Sequence, residues 1–115
     1  MWTFTATGFY SAVQHRDNPE LLMVRARDEE SLAPLAALTD QQTQFTPDAD
    51  YAFRVIVSKQ VYAQWLMTQV IGIDYPNFKS RAYTARGGAF VHALHDVWEV
   101  MFRLQRQLLQ PKAGR

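Results

Sequence analysis

Apolar and polar residues alternate with period two through the first quarter of the chain. Trp2-Thr3-Phe4-Thr5 alternates, Ala6-Thr7-Gly8 supplies a turn, and Phe9 to His15 alternates again, which predicts a hairpin. Asp17-Asn18-Pro19-Glu20 is a second turn, because Asn and Pro favour turn conformations. Leu21 to Arg27 then reads as a third strand, completing an antiparallel meander.

From residue 31 the period changes. Ser31 is placed as an N-cap and Leu32 to Leu38 as a short helix, with Pro34 in its first turn, where the missing N–H does least harm. Thr39 to Asp50 is a long polar loop. Tyr51 to Ser58, rich in β-branched residues, is a fourth strand. Ser58 caps a helix from Lys59 to about Ile71, with Val61, Trp65, Leu66 and Val70 at helical spacing and Gly72 as its stop. Asp74 to Lys79 is an extended turn in which Asn77 can cap a helical turn, and Gly87-Gly88 breaks the chain. The longest helix runs from about Ala89 to Leu109 and stops before Pro111. Phe90, Val91, Leu94, Val97, Trp98, Met101, Leu104 and Leu108 give it a wide apolar stripe. Residues 111–115 are expected to be a frayed tail. The predicted element order is βββαβαα. This is an α+β fold with a four-stranded, mainly antiparallel sheet and helices packed on one face, a single domain over 1–110.

The strands carry the most specific chemistry. Leu22, Val24 and Ala26 point one way and Arg25 and Arg27 the other. Phe53, Val55 and Val57 take the apolar face of the fourth strand, and Arg54 and Ser58 its polar face. With the helices over Phe4, Val24 and Val55, the open face is expected to hold Arg25, Arg27 and Arg54, joined by Tyr10, Gln14, Thr3 and Thr5. Guanidinium groups bind phosphate or carboxylate through paired hydrogen bonds, so this face suits an anionic macromolecule or an acidic protein partner. The competing structural reading is a solubilising face whose arginines pair with acids such as Asp48 or Asp50, each bridge being worth roughly 0–1 kcal/mol.

Composition narrows the classes. At 115 residues with 48% hydrophobic content the chain is long enough for one core. It has no cysteine, which removes disulfides, thiol catalysis and cysteine metal sites, and which fits a reducing cytoplasm. No apolar run reaches the roughly 18 residues needed to span a bilayer. The start, Met1-Trp2-Thr3-Phe4, lacks a basic n-region and a long apolar stretch, so a secretory signal is not expected. The net charge of +1 is segregated: residues 28–50 carry six acids and no Lys or Arg, leaving +7 elsewhere.

Other candidates are weaker. Asp74, Tyr75, Asn77 and Lys79 crowd an acid, a phenol, an amide and an amine into six residues, but the favoured reading is structural, with Asp74 and Lys79 tying the loop down and Tyr75 and Phe78 plugging the core. His92 and His95 share a helix face at i, i+3 without a third ligand, so neither a metal site nor a cofactor is expected. His15 and Asp50 could meet as an acid–base pair in space. Gly87-Gly88 lacks the Lys-Ser/Thr of a phosphate loop, and no motif fixes a reaction. The last helix has more apolar surface than one sheet face needs, which suggests a homodimer or partner surface.

Taken in order, Met1-Trp2-x-Phe4-Thr5, Gly8-Phe9-Tyr10-Ser11, Val24-Arg25-Ala26-Arg27, Thr46-Pro47-x-Ala49-Asp50-Tyr51, Arg54, Ile73-Asp74-Tyr75-x-Asn77-Phe78-Lys79 and Val97-Trp98 form a pattern. The chain resembles a family of small uncharacterised proteins of bacteria and their phages. The resemblance covers most of the chain and implies a stand-alone domain. It carries over no activity. It does suggest that Arg25, Arg27, Arg54, Asp50, Tyr51, Asp74, Tyr75, Asn77 and Lys79 belong to one site.

Three functions are therefore expected in order. The first is a cytoplasmic, non-catalytic binding or regulatory domain using the arginine face, without a membrane partner. The second is an interaction factor, phage or host, acting through the last helix. The third is an enzyme on a small anionic substrate, with Asp74, Tyr75 and Lys79 near the arginines.

Overall fold

The computed structural model describes residues 1–111, so the expected tail beyond Pro111 lies outside the described residues. Among the described residues there are five strands, β1 (Trp2–Thr5), β2 (Gly8–Gln14), β3 (Leu21–Ala26), β4 (Gln44–Phe45) and β5 (Phe53–Ser58). There are four helices, α1 (Glu29–Leu38), α2 (Lys59–Ile71), α3 (Phe78–Arg86) and α4 (Gly88–Leu109). The α+β class and the antiparallel sheet agree with the sequence. The sheet has five strands rather than four, in the order β1-β2-β3-β5-β4 with every neighbouring pair antiparallel. The element order is βββαββααα rather than βββαβαα. Two residues of β4 are too few to show alternation, and the loop expected over 39–50 folds back so that the Thr46 N–H donates to the Ala52 carbonyl at 2.7 Å.

The described structure forms two compact units, the first spanning Met1–Asp74 and the second beginning at Tyr75. In the first, the β3–β5 ladder sets which side chains share a face. Val24 lies opposite Val55 and Leu22 opposite Val57, and α1 and α2 cover this side. Leu32 and Leu35 of α1 and Tyr62 and Trp65 of α2 join Tyr10, Ala12, Val24, Ala26, Val55 and Val57 in one buried cluster. Each large apolar side chain so buried contributes about 1.5–3 kcal/mol. Trp65 meets Tyr10 edge-on at 4.9 Å and stacks on Tyr62 at 5.7 Å.

Capping follows side-chain chemistry. The Ser58 hydroxyl accepts from the Val61 N–H at 3.1 Å and Gly72 ends α2, both as read from sequence. The first cap is Asp28, not Ser31: its carboxylate accepts from the Ser31 N–H at 3.0 Å, starting α1 three residues earlier than expected. Pro34 consequently lies inside the helix and removes one rung of its ladder. Ser31 is instead buried over β2. A Cβ on Gly8 would stand 2.6 Å from Ser31 Oγ, 2.8 Å from Ser31 Cβ and 2.7 Å from the Tyr10 hydroxyl oxygen. Only a residue without a side chain lets α1 approach this closely.

The second unit is a helical hairpin. Asn77 caps α3, its side chain accepting from the Ser80 N–H at 2.9 Å, and the helical turn expected there extends to nine residues. Gly87, at φ 86°, joins α3 to α4 in a conformation that other L-residues adopt only with strain. Ala82 and Leu94 are its buried residues.

Two outcomes test this packing. Gly8→Ala should lower unfolding free energy by about 1–3 kcal/mol, measured by urea denaturation, because Ser31 and Tyr10 must move. Burial pushes the Tyr62 phenol up to about 12 from the ordinary 10.0; the nearby Thr3 hydroxyl opposes the shift and the Tyr10 phenol adds to it. The unfolded chain therefore deprotonates first. Stability held in full below pH 10 should fall by up to about 3 kcal/mol as pH rises through about 12, and Tyr62→Phe should remove that loss from the pH–stability profile.

Candidate functional site

The face of the sheet turned away from α1 and α2 brings the three arginines together. Ser11 pairs with Arg25 and Arg25 with Arg54, while Trp2 pairs with Ser11 and Gln44 with Arg54. One row thus crosses all five strands: Trp2, Ser11, Arg25, Arg54, Gln44. Arg25 Nη2 donates to Ser11 Oγ at 2.8 Å. Arg54 Nη2 donates to the Tyr51 carbonyl at 3.3 Å, and its Nη1 lies 3.4 Å from Met23 Sδ. Arg27 Nη1 donates to the Asp50 carbonyl.

Tyr51 anchors the cluster. It is 4% exposed, with the Arg25 guanidinium carbon 4.6 Å and that of Arg27 4.2 Å from its ring centroid. Phe9 approaches the same ring at 6.5 Å, stacks on Phe4 at 4.4 Å and meets Trp2 edge-on at 5.5 Å. The aromatic row ends in Trp2, which is 69% exposed.

Tyr10 was expected on the open face, with Thr3, Thr5 and Gln14, and Phe4 in the core. Tyr10 is fully buried beneath the helices, and Phe4, Phe9 and Trp2 lie on the arginine side. Both faces of β2 are apolar, Tyr10 and Ala12 on one and Phe9 and Val13 on the other, so alternation alone cannot orient it. The deciding signal is register: Ser11 stands opposite Arg25, which commits Phe9 and Val13 to the arginine face.

The acids do not neutralise this cluster. Asp50 Oδ1 accepts from the Tyr51 N–H at 3.0 Å, and it is the Asp50 main chain that holds Arg27. Among the described residues, Arg25, Arg27 and Arg54 form no ion pair with a carboxylate. The Nε atoms of Arg25 and Arg54 are buried without a hydrogen-bond partner. Like charges placed directly opposite on a sheet are destabilising, and among the described residues no acid pairs with these arginines. His15 and Asp50 are each engaged locally, His15 Nδ1 accepting from the Asp17 N–H at 3.1 Å.

Tyr75, Asn77 and Lys79 belong to the second unit, where they have local partners. Asn77 caps α3, the Tyr75 ring tilts against Phe78 at 6.4 Å, and Lys79 Nζ lies 3.5 Å from His95 Nδ1 and 5.2 Å from the Trp98 ring. Asp74 is exposed at the end of the first unit. A groove of about 580 Å³ between α3 and α4 is lined by Lys79, Ser80, Tyr83 and His95 among others, and its lining includes neither Asp74 nor Tyr75. His92 faces Asp96 at 3.8 Å on α4. Among the described residues no group of three or more His, Cys, Asp or Glu could hold a metal ion, and no helix is long and apolar enough to cross a membrane.

No protein-family model, curated protein or solved structure matches this chain.

The Tyr51 ring, more than its hydroxyl, holds the arginines. Tyr51→Phe should leave the unfolding free energy within about 0.5 kcal/mol, whereas Tyr51→Leu should lower it by about 2 kcal/mol through lost ring and cation–π contacts, as read by urea denaturation.

Proposed function

We propose that the unit spanning Met1–Asp74 is a non-catalytic binding module that recognises an anionic group through Arg25, Arg27 and Arg54. The observation that carries this reading is the Arg25–Arg54 pair. Two arginines are direct partners in the register of adjacent strands, with no carboxylate paired to either among the described residues. A ligand anion bridging them would relieve their repulsion and accept charge-assisted hydrogen bonds.

Of the two partner classes the sequence admits, the adjoining rings favour nucleic acid. Trp2, Phe4 and Phe9 continue the arginine face as an aromatic cluster that ends in the exposed Trp2 ring, and unpaired bases stack on exposed rings while phosphates meet guanidinium groups. An acidic protein segment would use the arginines without needing the rings. Residues 1–74 carry five basic and nine acidic side chains, a net −4, so recognition rests on short-range contacts rather than on a long-range field.

Titration of the protein with oligothymidylate and with a polyglutamate peptide, followed by tryptophan fluorescence, tests the reading. Oligothymidylate should bind with a shallow salt dependence, the log–log slope no steeper than about −2 for three charges. Arg25→Ala with Arg54→Ala should abolish binding and shift Tm by only a few degrees. Binding of polyglutamate alone would assign the face to an acidic protein. Unfolding of the double variant would make the arginines structural ties and overturn the proposal.

A further inference from the structure

α4 is a 22-residue helix, about 33 Å long, and α3 is about 13 Å long. Their contacts fall on the first half of α4: Tyr83 near Gly88, Arg86 over Phe90, and Lys79 against His95 and Trp98. Beyond them the apolar stripe continues into solvent. Trp98 is 51% exposed, Met101 55% and Leu108 73%, with Val97, Val100, Phe102, Leu104 and Leu109 also exposed.

The spacing of this stripe is that of a coiled-coil seam. Phe90, Leu94, Val97, Met101, Leu104 and Leu108 follow one another at intervals of four, three, four, three and four. Val97, Met101, Leu104 and Leu108 on the seam, with Trp98 and Val100 beside it, expose roughly 600 Å² per copy, at the upper limit of the patches that monomers usually show and at the lower end of one partner's share of a specific interface. No charged residue lies on the seam. Within α4, the charges from residue 96 onward sit away from the seam, Asp96 and Glu99 first, then Arg103 and Arg106. A second copy running parallel would align the two helix dipoles and set one α3 beside the other. A second copy running antiparallel opposes the two helix dipoles and keeps the two α3 helices at opposite ends.

We propose that α4 mediates an antiparallel homodimer, centred between Phe102 and Arg103, with Met101 packing on Leu104 of the second copy and Val97 on Leu108. The interface is isologous, so every contact occurs twice.

Sedimentation velocity of the full chain from about 1 to about 200 µM tests it. The mass should rise to twice that of one chain, and Leu104→Glu should keep it at one while circular dichroism stays unchanged. The direction is read by disulfide trapping, which the cysteine-free sequence makes clean. A mixture of Val97→Cys and Leu108→Cys chains should form the mixed disulfide, and each variant alone should not. A chain that remains monomeric at the highest concentration, a Leu104→Glu variant that still doubles its mass, or self-linking of Val97→Cys would overturn the proposal.

Discussion

The pairing of β3 with β5 is the constraint from which the rest of the first unit follows. Six consecutive residues on each strand are held in one register. Because side chains alternate, a single register decides both faces at once. It stacks Val24 on Val55 and Leu22 beside Val57 under the two helices, and by the same act it sets Arg25 against Arg54 on the other side. A slip by one residue would bury guanidinium groups and expose valines. The core and the charged face are therefore one decision, and the cost of two facing cations is carried by the hydrophobic side of the same ladder.

The aromatic groups extend that decision outward. Tyr51 lies two residues before β5, and the guanidinium groups of Arg25 and Arg27 rest on its ring rather than on acids. Phe9 and Phe4 carry the same layer to the edge strand. A polar row and an aromatic row thus lie side by side on one surface, set by main-chain register, with the arginine side chains restrained by Ser11, the Tyr51 carbonyl and the Tyr51 ring. Such rigidity reduces the conformational entropy lost when a ligand binds.

How much of this was legible depends on how redundant each signal was. β3 and β5 have one apolar and one charged face, so Arg25, Arg27 and Arg54 were placed together from alternation alone. β1 alternates cleanly without showing which face is covered, and β2 has an aromatic residue on each face, so Tyr10 is assigned to the wrong one; only the pairing of Ser11 with Arg25 resolves it. Ser58 and Asn77 were readable as caps, since each has a short polar side chain preceding a helical run. Asp28 was missed because Ser31 offered the same chemistry three residues later. Phe78–Arg86 was missed as a helix because its stripe is short and polar, and its partner helix lies beyond a glycine break. The grouping of the arginines with Tyr75, Asn77 and Lys79 rested on resemblance, and those three side chains are engaged within their own helical hairpin.

β4 contributes only two residues to the sheet, and it stops beside Phe53 and Arg54. The Ala52 carbonyl points toward β4, where it accepts from Thr46, so by the alternation of the backbone Arg54 and Ile56 point the same way and Val55 and Val57 point toward β3. Ile56 thus directs its amide to a side where the neighbouring strand has already ended. Deuterium uptake along β5 is then expected to alternate from one residue to the next, slow at Val55 and Val57 and fast at Ile56. A strand that is central at one end becomes an edge at the other.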